Sequence, residues 1–369
     1  MPILKKFVED KVFLVVAILT FFCGIIWGWT FEFIDMKVIL SLFGLMSTIK
    51  SFEHLGVLNG VANFLAKHSS TVRKLTLNMV LLSFFSAMFL TNDVAIITLM
   101  PIYLSIIRRI PKKTSPILGS ILLIVAANLG STMMPFGNPQ NIYLFSYYKY
   151  TLIEFFSILF PLLIPSLFFL TILCLFISNQ ELSIDDTLTS HKNSSKGKLI
   201  ITTTVFLIMI AYVLHIITSP LLVLFGITCL LFIDKKSLAE VDYPLLATFI
   251  GFFLIVGDLI NSQWIKSFIE QLVQTKMSTY VSSALISQLI SNVPASILLA
   301  PFSQNGDPLL LGTNIGGLGT LIASLANLIG FNIFSLYYPK IKIVFVKWFL
   351  ILNFLLLGVY FLVGWFILS

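Results

Sequence analysis

The sequence predicts an all-α polytopic membrane protein built from two inverted-topology repeats. Mean hydropathy is +1.00, 58% of the residues are hydrophobic and 11% are charged, so apolar runs that are long enough to cross a bilayer recur along the chain. Two polar strings, Thr91-Asn92-Asp93 and Ser291-Asn292-Val293, lie deep inside such runs. Polar side chains are costly in hydrocarbon unless they are used or satisfied. Their recurrence indicates a duplicated fold with one site between its halves.

The charges and cysteines exclude other classes of protein. The formal charge is +7, but the basic residues fall in loops between apolar runs, where they set membrane orientation. We therefore expect the lipid bilayer as a partner and no nucleic acid. Cys23, Cys174 and Cys229 are isolated within apolar runs, so they predict neither a zinc site nor a disulfide framework.

The first repeat is predicted over residues 11–178. An apolar run at 12–30 is long for a signal core and lacks a convincing cleavage site, so we interpret it as the first membrane helix. A second helix and an interfacial helix follow it. The remaining elements are a helical hairpin over 75–110, a broken helix over 115–146 and a last helix over 152–178.

The second repeat is predicted over residues 219–368, and it has the same order of elements. A polar cytoplasmic linker at 179–198 and one extra helix at 199–217 precede it. Its hairpin is expected over 278–303 and its broken helix over 307–335. Two asparagines of each broken helix match at the same spacing, and these pairs are Asn128 with Asn314 and Asn141 with Asn327.

The two hairpins are expected to be re-entrant. Residues 78–90 make about 20 Å of helix, against roughly 30 Å of hydrocarbon. Each segment should therefore dip into the membrane, turn at its polar triplet and return by the same face, covered by protein or by a wet cavity. Ser291 is a suitable N-cap for the returning arm, and Pro294 fits its first turn.

The distribution of basic residues orients the chain. With the hairpins counted as non-crossing and the N-terminus inside, the chain crosses about nine times and its C-terminus lies outside. All 23 Lys and Arg residues then fall on the cytoplasmic side except Lys37, Lys149, Lys266 and Lys276, as the positive-inside rule requires. An odd number of crossings separates the two repeats, so the second repeat is predicted to be inverted.

Hairpins that enter from opposite faces would bring their tips together near the midplane. Each tip starts a helix, so free N–H groups and a positive dipole end point towards the centre. Glycine and proline break the neighbouring helices, and the freed carbonyl groups are oxygen ligands of the kind that Na⁺ accepts, as in secondary transporters. The candidate substrate- or ion-binding residues are Thr91, Asn92, Asp93, Asn128, Ser131, Gly137, Asn138, Pro139, Asn141, Ser291, Asn292, Thr313, Asn314, Gly316 and Gly317. The candidate Na⁺ ligands among them are Asn92, Asn138, Asn292 and Asn314.

This pattern of tips and broken helices resembles the ion transporter superfamily, which includes divalent anion/sodium symporters, bacterial citrate transporters and the membrane subunit of the arsenite pump. The resemblance covers nearly the whole chain and is closest to the short bacterial anion-permease branch. It implies a homodimer, a small anionic substrate and no cofactor other than Na⁺ or H⁺ as the coupling ion. It also implies that Na⁺ and substrate are held at Thr91, Asn92, Ser291, Asn292, Gly137, Asn138, Pro139 and Asn141.

The sequence departs from the family at the tips. Asp93 and Val293 replace the third-position threonine, and the Thr-Asn-Asp tip is more similar to the arsenite-pump branch. Asp93 is an ionisable group at depth and therefore a candidate proton carrier or cation ligand. The alternative is a carboxylate that is satisfied by the N–H groups of its own helix start. Asp258 is a second candidate proton carrier.

The sequence leaves several transport functions open. The favoured one is an H⁺- or Na⁺-coupled secondary transporter that moves a small anion or oxyanion across the cytoplasmic membrane. The alternatives are a Na⁺/H⁺ antiporter of the same architecture and an arsenite-type efflux permease. We expect no enzymatic activity, because GxSxG, HExxH and P-loop strings are absent and the one candidate pair of protease carboxylates, Asp93 and Asp258, lies at different predicted depths.

Overall fold

A computed structural model of the chain describes residues 2–110, 115–182 and 195–369. Within these ranges the named elements are all helices, and the one extended contact is an antiparallel bridge between Thr71 and Glu181. Most of the expected linker at 179–198 lies outside the described residues, as does the basic loop that contains Lys112 and Lys113.

Among the described residues, ten α-helices make up the first half of the molecule. Several begin at a side chain that caps free N–H groups: Asp10 accepts a hydrogen bond from the N–H of Phe13 at 2.8 Å, and Asp35 accepts from Lys37 and Val38. The helices are α1 (Pro2–Glu9), α2 (Lys11–Trp27), α3 (Met36–His54), α4 (Val57–Lys67), α5 (Val72–Leu90), α6 (Asn92–Ile107), α7 (Ile117–Ser131), α8 (Pro139–Tyr147), α9 (Leu152–Leu159) and α10 (Leu163–Cys174).

The described part of the second half contains ten more α-helices. The expected extra helix begins at Lys196 and ends at Val213, because the chain turns at His215, which has a positive φ of 60°. The helices are α11 (Lys196–Val213), α12 (Pro220–Ile233), α13 (Lys235–Ala239), α14 (Tyr243–Ile260), α15 (Gln263–Leu272), α16 (Lys276–Ile290), α17 (Asn292–Leu299), α18 (Gly306–Ile315), α19 (Leu325–Tyr337) and α20 (Lys342–Leu368).

Several helices have the length and composition of membrane spans. Among the described residues, five spans are long and apolar enough to cross a bilayer, or six if the bent pair α3 and α4 counts as one. Large apolar side chains on their outer faces are open, for example Ile343 at 78% exposure and Phe366 at 77%. These surfaces suit contact with lipid, and the fold is that of a polytopic membrane protein.

The first arm of the first helix pair is longer than expected. Thr71 caps α5 by accepting a hydrogen bond from the N–H of Lys74 at 3.2 Å, so the helix starts at Val72 and contains 19 residues. The prediction that this arm is too short to cross the bilayer is therefore wrong, because the helix starts at Val72 and not at residue 78. What distinguishes α5 is that the chain breaks after it and α6 packs back against it.

The two halves pack their helices in the same way. In the first half α5 contacts both α6 and α7, and in the second half α16 contacts both α17 and α18. Contacts between the halves are also reciprocal, since α6 packs on α19 and α17 packs on α8. The helix after each break therefore lies against the broken helix of the other half: α6 contacts α19, and α17 contacts α8.

Glycine permits the closest of these approaches. A Cβ atom at Gly130 of α7 would overlap the backbone carbonyl of Phe84 in α5. At the corresponding interface of the second half, a Cβ at Gly312 of α18 would meet the backbone oxygen of Tyr280 in α16 at 2.7 Å. Backbone atoms cannot move aside as a flexible side chain can. The α5–α7 contact therefore requires glycine at position 130, and the α16–α18 contact requires it at position 312.

Candidate functional site

The breaks after α5 and α16 have the same unusual backbone conformation. Thr91 has φ 68° and ψ 155°, and Ser291 has φ 77° and ψ 154°. Only four described residues other than glycine have positive φ, and these are two of them. Such conformations cost about 1–3 kcal/mol each and persist where the surrounding structure enforces them, often at functional sites.

At the first break, a chain of buried amides connects the two halves. The Nδ2 of Asn92 donates to the Oδ1 of Asn128 at 3.1 Å. The Nδ2 of Asn128 in turn donates to the Oδ1 of Asn327 at 2.7 Å, and the hydroxyl of Ser324 donates to the Oδ1 of Asn128 at 3.0 Å. Asn128 therefore holds the start of α6 against the start of α19.

The same pattern recurs with the two halves exchanged. The Nδ2 of Asn314 donates to the Oδ1 of Asn141 at 2.6 Å, as Asn128 does to Asn327. The Nδ2 of Asn138 donates to the Oδ1 of Asn314 at 3.2 Å, which matches the bond from Ser324 to Asn128. The second amide bonds also match, since Asn141 donates to the backbone oxygen of Met134 and Asn327 to that of Thr320.

The second break is held against the same segment of chain. The backbone N–H of Asn292 donates to the carbonyl of Ala323 at 2.9 Å, and the hydroxyl of Ser291 approaches the same oxygen at 3.4 Å. Gln288, one turn before the break, donates to the carbonyl of Gly316 and accepts from the N–H of Thr320. The second break therefore contacts the chain between α18 and α19 directly, and the first break reaches it through Asn128 and Ser324. Sequence reasoning did not identify Gln288 or Ser324 as contributors.

Most of the predicted site amides are occupied by protein partners in this structure. Asn138 and Asn141 are no more than 1% exposed, and their side chains bond to Asn314. Asn327, which was not predicted at the site, is fully buried and bonds to Asn128 and to the carbonyl of Gly317. The hydroxyl of Thr313 donates within its own helix to Leu309. Buried polar groups are stable when they are satisfied in this way, so these residues position the helix starts.

A cavity of about 440 Å³ opens beside the first break, and we call it the central cavity. Five described helices begin at its wall. The starts of α2 and α14 are capped by Asp10 and Asp242; the other three are α6 with Thr91 and Asp93, α8 with Pro139, and α19 with Leu325. Helix starts present N–H groups and a partial positive charge, which together favour an anion. Ser291, Asn292 and the predicted residues of α18 do not line this cavity.

Asp93 is one of the carboxylates that line the central cavity. One of its oxygens, Oδ1, is buried and has no hydrogen-bond partner among the described residues. The N–H of Asp93 donates to the side chain of its neighbour Asn92 at 3.0 Å. A buried carboxylate oxygen without a donor is an unused acceptor, so it can take a proton or a cation.

The central cavity is also lined by charged residues that were not predicted at the site. Lys50, in the last turn of α3, bonds to Glu53 at 2.6 Å and also faces the cavity. Asp242 caps α14 by accepting from the N–H of Leu245, and burial raises the pKa of this carboxyl above its ordinary value. These residues come from distant parts of the chain, and only the tertiary fold brings them near Asp93.

Asp258 lies elsewhere. Its Oδ1 accepts a hydrogen bond from the N–H of Thr30 at 3.1 Å, and its Oδ2 is buried without a partner among the described residues. It does not line the central cavity with Asp93. Within the described ranges, no group of three or more His, Cys, Asp or Glu side chains could hold a metal ion.

Apolar helices that surround a buried amide network and a polar cavity define a membrane transporter. Residues 2–308 match the family model described as citrate transporter, and the chain belongs to that family. The predicted ion transporter superfamily is thereby confirmed. MJ0456, an uncharacterized transporter of Methanocaldococcus jannaschii, is 31% identical over 301 residues, which is 81% of each chain.

Two further comparisons agree with this assignment. The inner membrane protein YbiR of Escherichia coli is 27% identical over 300 residues, which cover 80% of this chain and 79% of YbiR. The crystal structure of the YdaH transporter of Alcanivorax borkumensis superposes with a TM-score of 0.56 at 13% identity, covering 89% of this chain and 84% of that one. The latter likeness concerns the fold alone.

Proposed function

We propose that this protein is a secondary transporter that carries a small anion or oxyanion across the cytoplasmic membrane, coupled to H⁺ or Na⁺. The observation that carries the proposal is the meeting of three helix starts, those of α6, α8 and α19, at one cavity. Their N–H groups and dipoles supply positive potential in addition to that of Lys6 and Lys50, which also line the cavity. The cavity volume of about 440 Å³ suits a small solute.

Asp93 supplies a reason for coupling. An ionised carboxylate beside a bound anion is strongly unfavourable where the surroundings exclude water. If Asp93 takes up a proton or a Na⁺ ion through its free Oδ1, the repulsion disappears and the anion binds together with the cation. Coupled transport then follows from electrostatics, because neither charge is stable in the cavity alone.

We further propose the topology that such a mechanism needs. The reciprocal hydrogen bonds of Asn128 with Asn327 and of Asn314 with Asn141 support two inverted repeats that face each other across the site. In this arrangement the helix pairs α5–α6 and α16–α17 are re-entrant, the chain crosses about nine times with its N-terminus inside, and the protein acts as a homodimer. The homodimer is what the resemblance to the ion transporter superfamily implies.

The test is transport by purified protein in liposomes under an imposed pH or Na⁺ gradient. Candidate solutes are citrate, succinate, phosphate, sulfate and arsenite, each supplied as a radiolabelled or otherwise detectable species. We expect uptake of one carboxylate or oxyanion to follow the gradient. Asp93→Asn should abolish gradient-driven uptake without lowering the yield of folded protein, whereas Glu270→Gln on an exposed helix should transport normally.

Gradient-driven uptake by Asp93→Asn with unchanged ion dependence would contradict the role of this residue. Transport of arsenite and of none of the other solutes would favour the arsenite-type efflux permease instead.

A Na⁺/H⁺ antiporter is the second candidate function, and one observation favours it. Five carboxylates line the central cavity, and grouped carboxylates can exchange a cation for protons; they are Glu9, Asp10, Asp93, Glu240 and Asp242. The same liposomes separate the two functions. An antiporter acidifies or alkalises the lumen in response to a Na⁺ gradient when no anionic solute is present, whereas the anion transporter does not.

A further inference from the structure

A second cavity lies at the other end of α8 from the central cavity. Pro139 and Ile142 of α8 face the central cavity, whereas Ser146 and Tyr147 face the second one. From Ile142 to Ser146 the helix rises only about 6 Å. Tyr143 fills the interval between them, buried to 3% exposure, with its ring 5.5 Å from that of Phe253.

Basic groups collect in this second cavity. Lys37 from the start of α3, Lys149 from the loop after α8 and His215 from the turn after α11 all line it. Asp35 is the only carboxylate among the lining residues, and its Oδ1 already accepts hydrogen bonds from two backbone N–H groups of α3. The cavity therefore has positive charge in excess.

The contact between Lys37 and His215 determines where the imidazole carries its proton. The Nζ of Lys37 lies against the Nδ1 of His215, and an ammonium group can only donate. Nδ1 must then accept, which leaves the ring proton on Nε2. Burial and the neighbouring Lys37 lower the pKa of His215, which agrees with a neutral ring. The Nε2 atom is buried, and a backbone hydrogen bond to Phe145, whose ring stacks on the imidazole, acts on the pKa in the opposite direction.

The backbone gives a second sign that this cavity is more than a surface depression. Lys149 has φ 55° and His215 has φ 60°. Together with Thr91 and Ser291 they are the only described residues other than glycine with positive φ. Neither lysine nor histidine is a favoured residue for this conformation, so the fold holds both basic side chains at the cavity despite backbone strain.

We propose that the second cavity is an anion-binding vestibule in which Lys37 and Lys149 hold a phosphate or carboxylate group and His215 positions the ammonium group of Lys37. The group can belong to a soluble anion or to the headgroup of an anionic lipid. Its role as the second mouth of the transport pathway rests on the proposed function, but the binding itself does not.

The test measures the melting temperature of purified protein in nanodiscs of phosphatidylcholine as inorganic phosphate replaces chloride at constant ionic strength. A ligand that binds only the folded state raises the melting temperature by mass action. The variants are Lys149→Asn and His215→Asn, because asparagine tolerates positive φ without a cationic side chain. The matched control is Lys276→Asn, which removes an exposed lysine that lines neither cavity.

We expect phosphate to stabilise the wild type and Lys276→Asn, and to bind roughly tenfold more weakly to the two vestibule variants. If the source is lipid, phosphatidylglycerol nanodiscs should stabilise the wild type and not these variants, and free phosphate should add nothing. Equal responses of all four proteins to both probes would overturn the proposal.

Asp93→Asn separates this inference from the proposed function. The variant should keep the phosphate response if the anion binds in the vestibule, even where it has lost transport. A response that persists in both Lys149→Asn and His215→Asn and grows in Asp93→Asn, which removes a negative charge, would place the anion in the central cavity, which refutes the vestibule and leaves the proposed function standing.

Discussion

At the scale of single residues, Asn128 shows how the halves are joined. Its amide nitrogen donates to Asn327, and its amide oxygen accepts from both Asn92 and Ser324. An amide side chain offers two donor and two acceptor positions, so three of the four are used. A hydrophobic or acidic residue of similar size cannot reproduce this combination of donor and acceptor.

We therefore expect Asn128→Leu to destabilise the protein by about 2–4 kcal/mol. Interhelical hydrogen bonds in membranes average about 0.6 kcal/mol, and each polar partner left buried and unpaired adds about 1–3 kcal/mol. Asn353→Leu is the matched control, because Asn353 is also fully buried but bonds only within its own helix and has a free Oδ1 among the described atoms. Thermal unfolding in detergent measures both, and equal losses would contradict the role assigned to Asn128.

At the scale of elements, the sequence predicted the breaks better than the helix lengths. Asparagine preceded by threonine or serine inside an apolar run marked the starts of α6 and α17, because a local polar signal coincided with a backbone break. The start of α5 was missed because Thr71 lies in a polar segment that gives no hydrophobic boundary. Gln288 was missed because its two bonds reach a loop some thirty residues away.

The α5–α7 interface yields a prediction about packing. Gly130→Ala should lower stability by about 1–3 kcal/mol, since the new methyl group overlaps the carbonyl of Phe84 and backbone must shift. Gly358→Ala is the control: nothing lies within 4 Å of a Cβ at this site in α20, and alanine favours helix by up to about 1 kcal/mol. Melting temperatures should therefore move in opposite directions, and a stabilising effect of Gly130→Ala would show that the contact is looser than described.

At the scale of the whole molecule, the central cavity could not be predicted from the sequence. Thr91, Asp93 and Pro139 were expected at the site and do line it. Lys50 and Asp242 were not predicted at the site, and the packing of α3 against both α6 and α14 brings them to the cavity that Asp93 lines. Sequence patterns identify which segments are costly to bury, but the charge that surrounds a ligand depends on contacts between distant segments.

Inverted repeats make a sharp prediction about the two membrane faces. Lys74 and Lys276 lie at equivalent points, in the first turns of α5 and α16, and both are exposed. Lys149 follows α8 as Lys340 follows α19, and these two are exposed as well. If the second half is inverted, each pair must be split between opposite sides of the membrane, although its members lie at corresponding ends of helices.

Single cysteines at these four positions, in a background where Cys23, Cys174 and Cys229 are replaced, test this arrangement with a membrane-impermeant maleimide. We expect intact cells to label positions 149 and 276, and inside-out vesicles to label positions 74 and 340, as the positive-inside rule indicates. Labelling of 74 and 276 from the same side would mean that the halves are parallel. The reciprocal asparagine bonds would then join two segments that enter from one face, and a site alternately open to the two sides would have no structural basis.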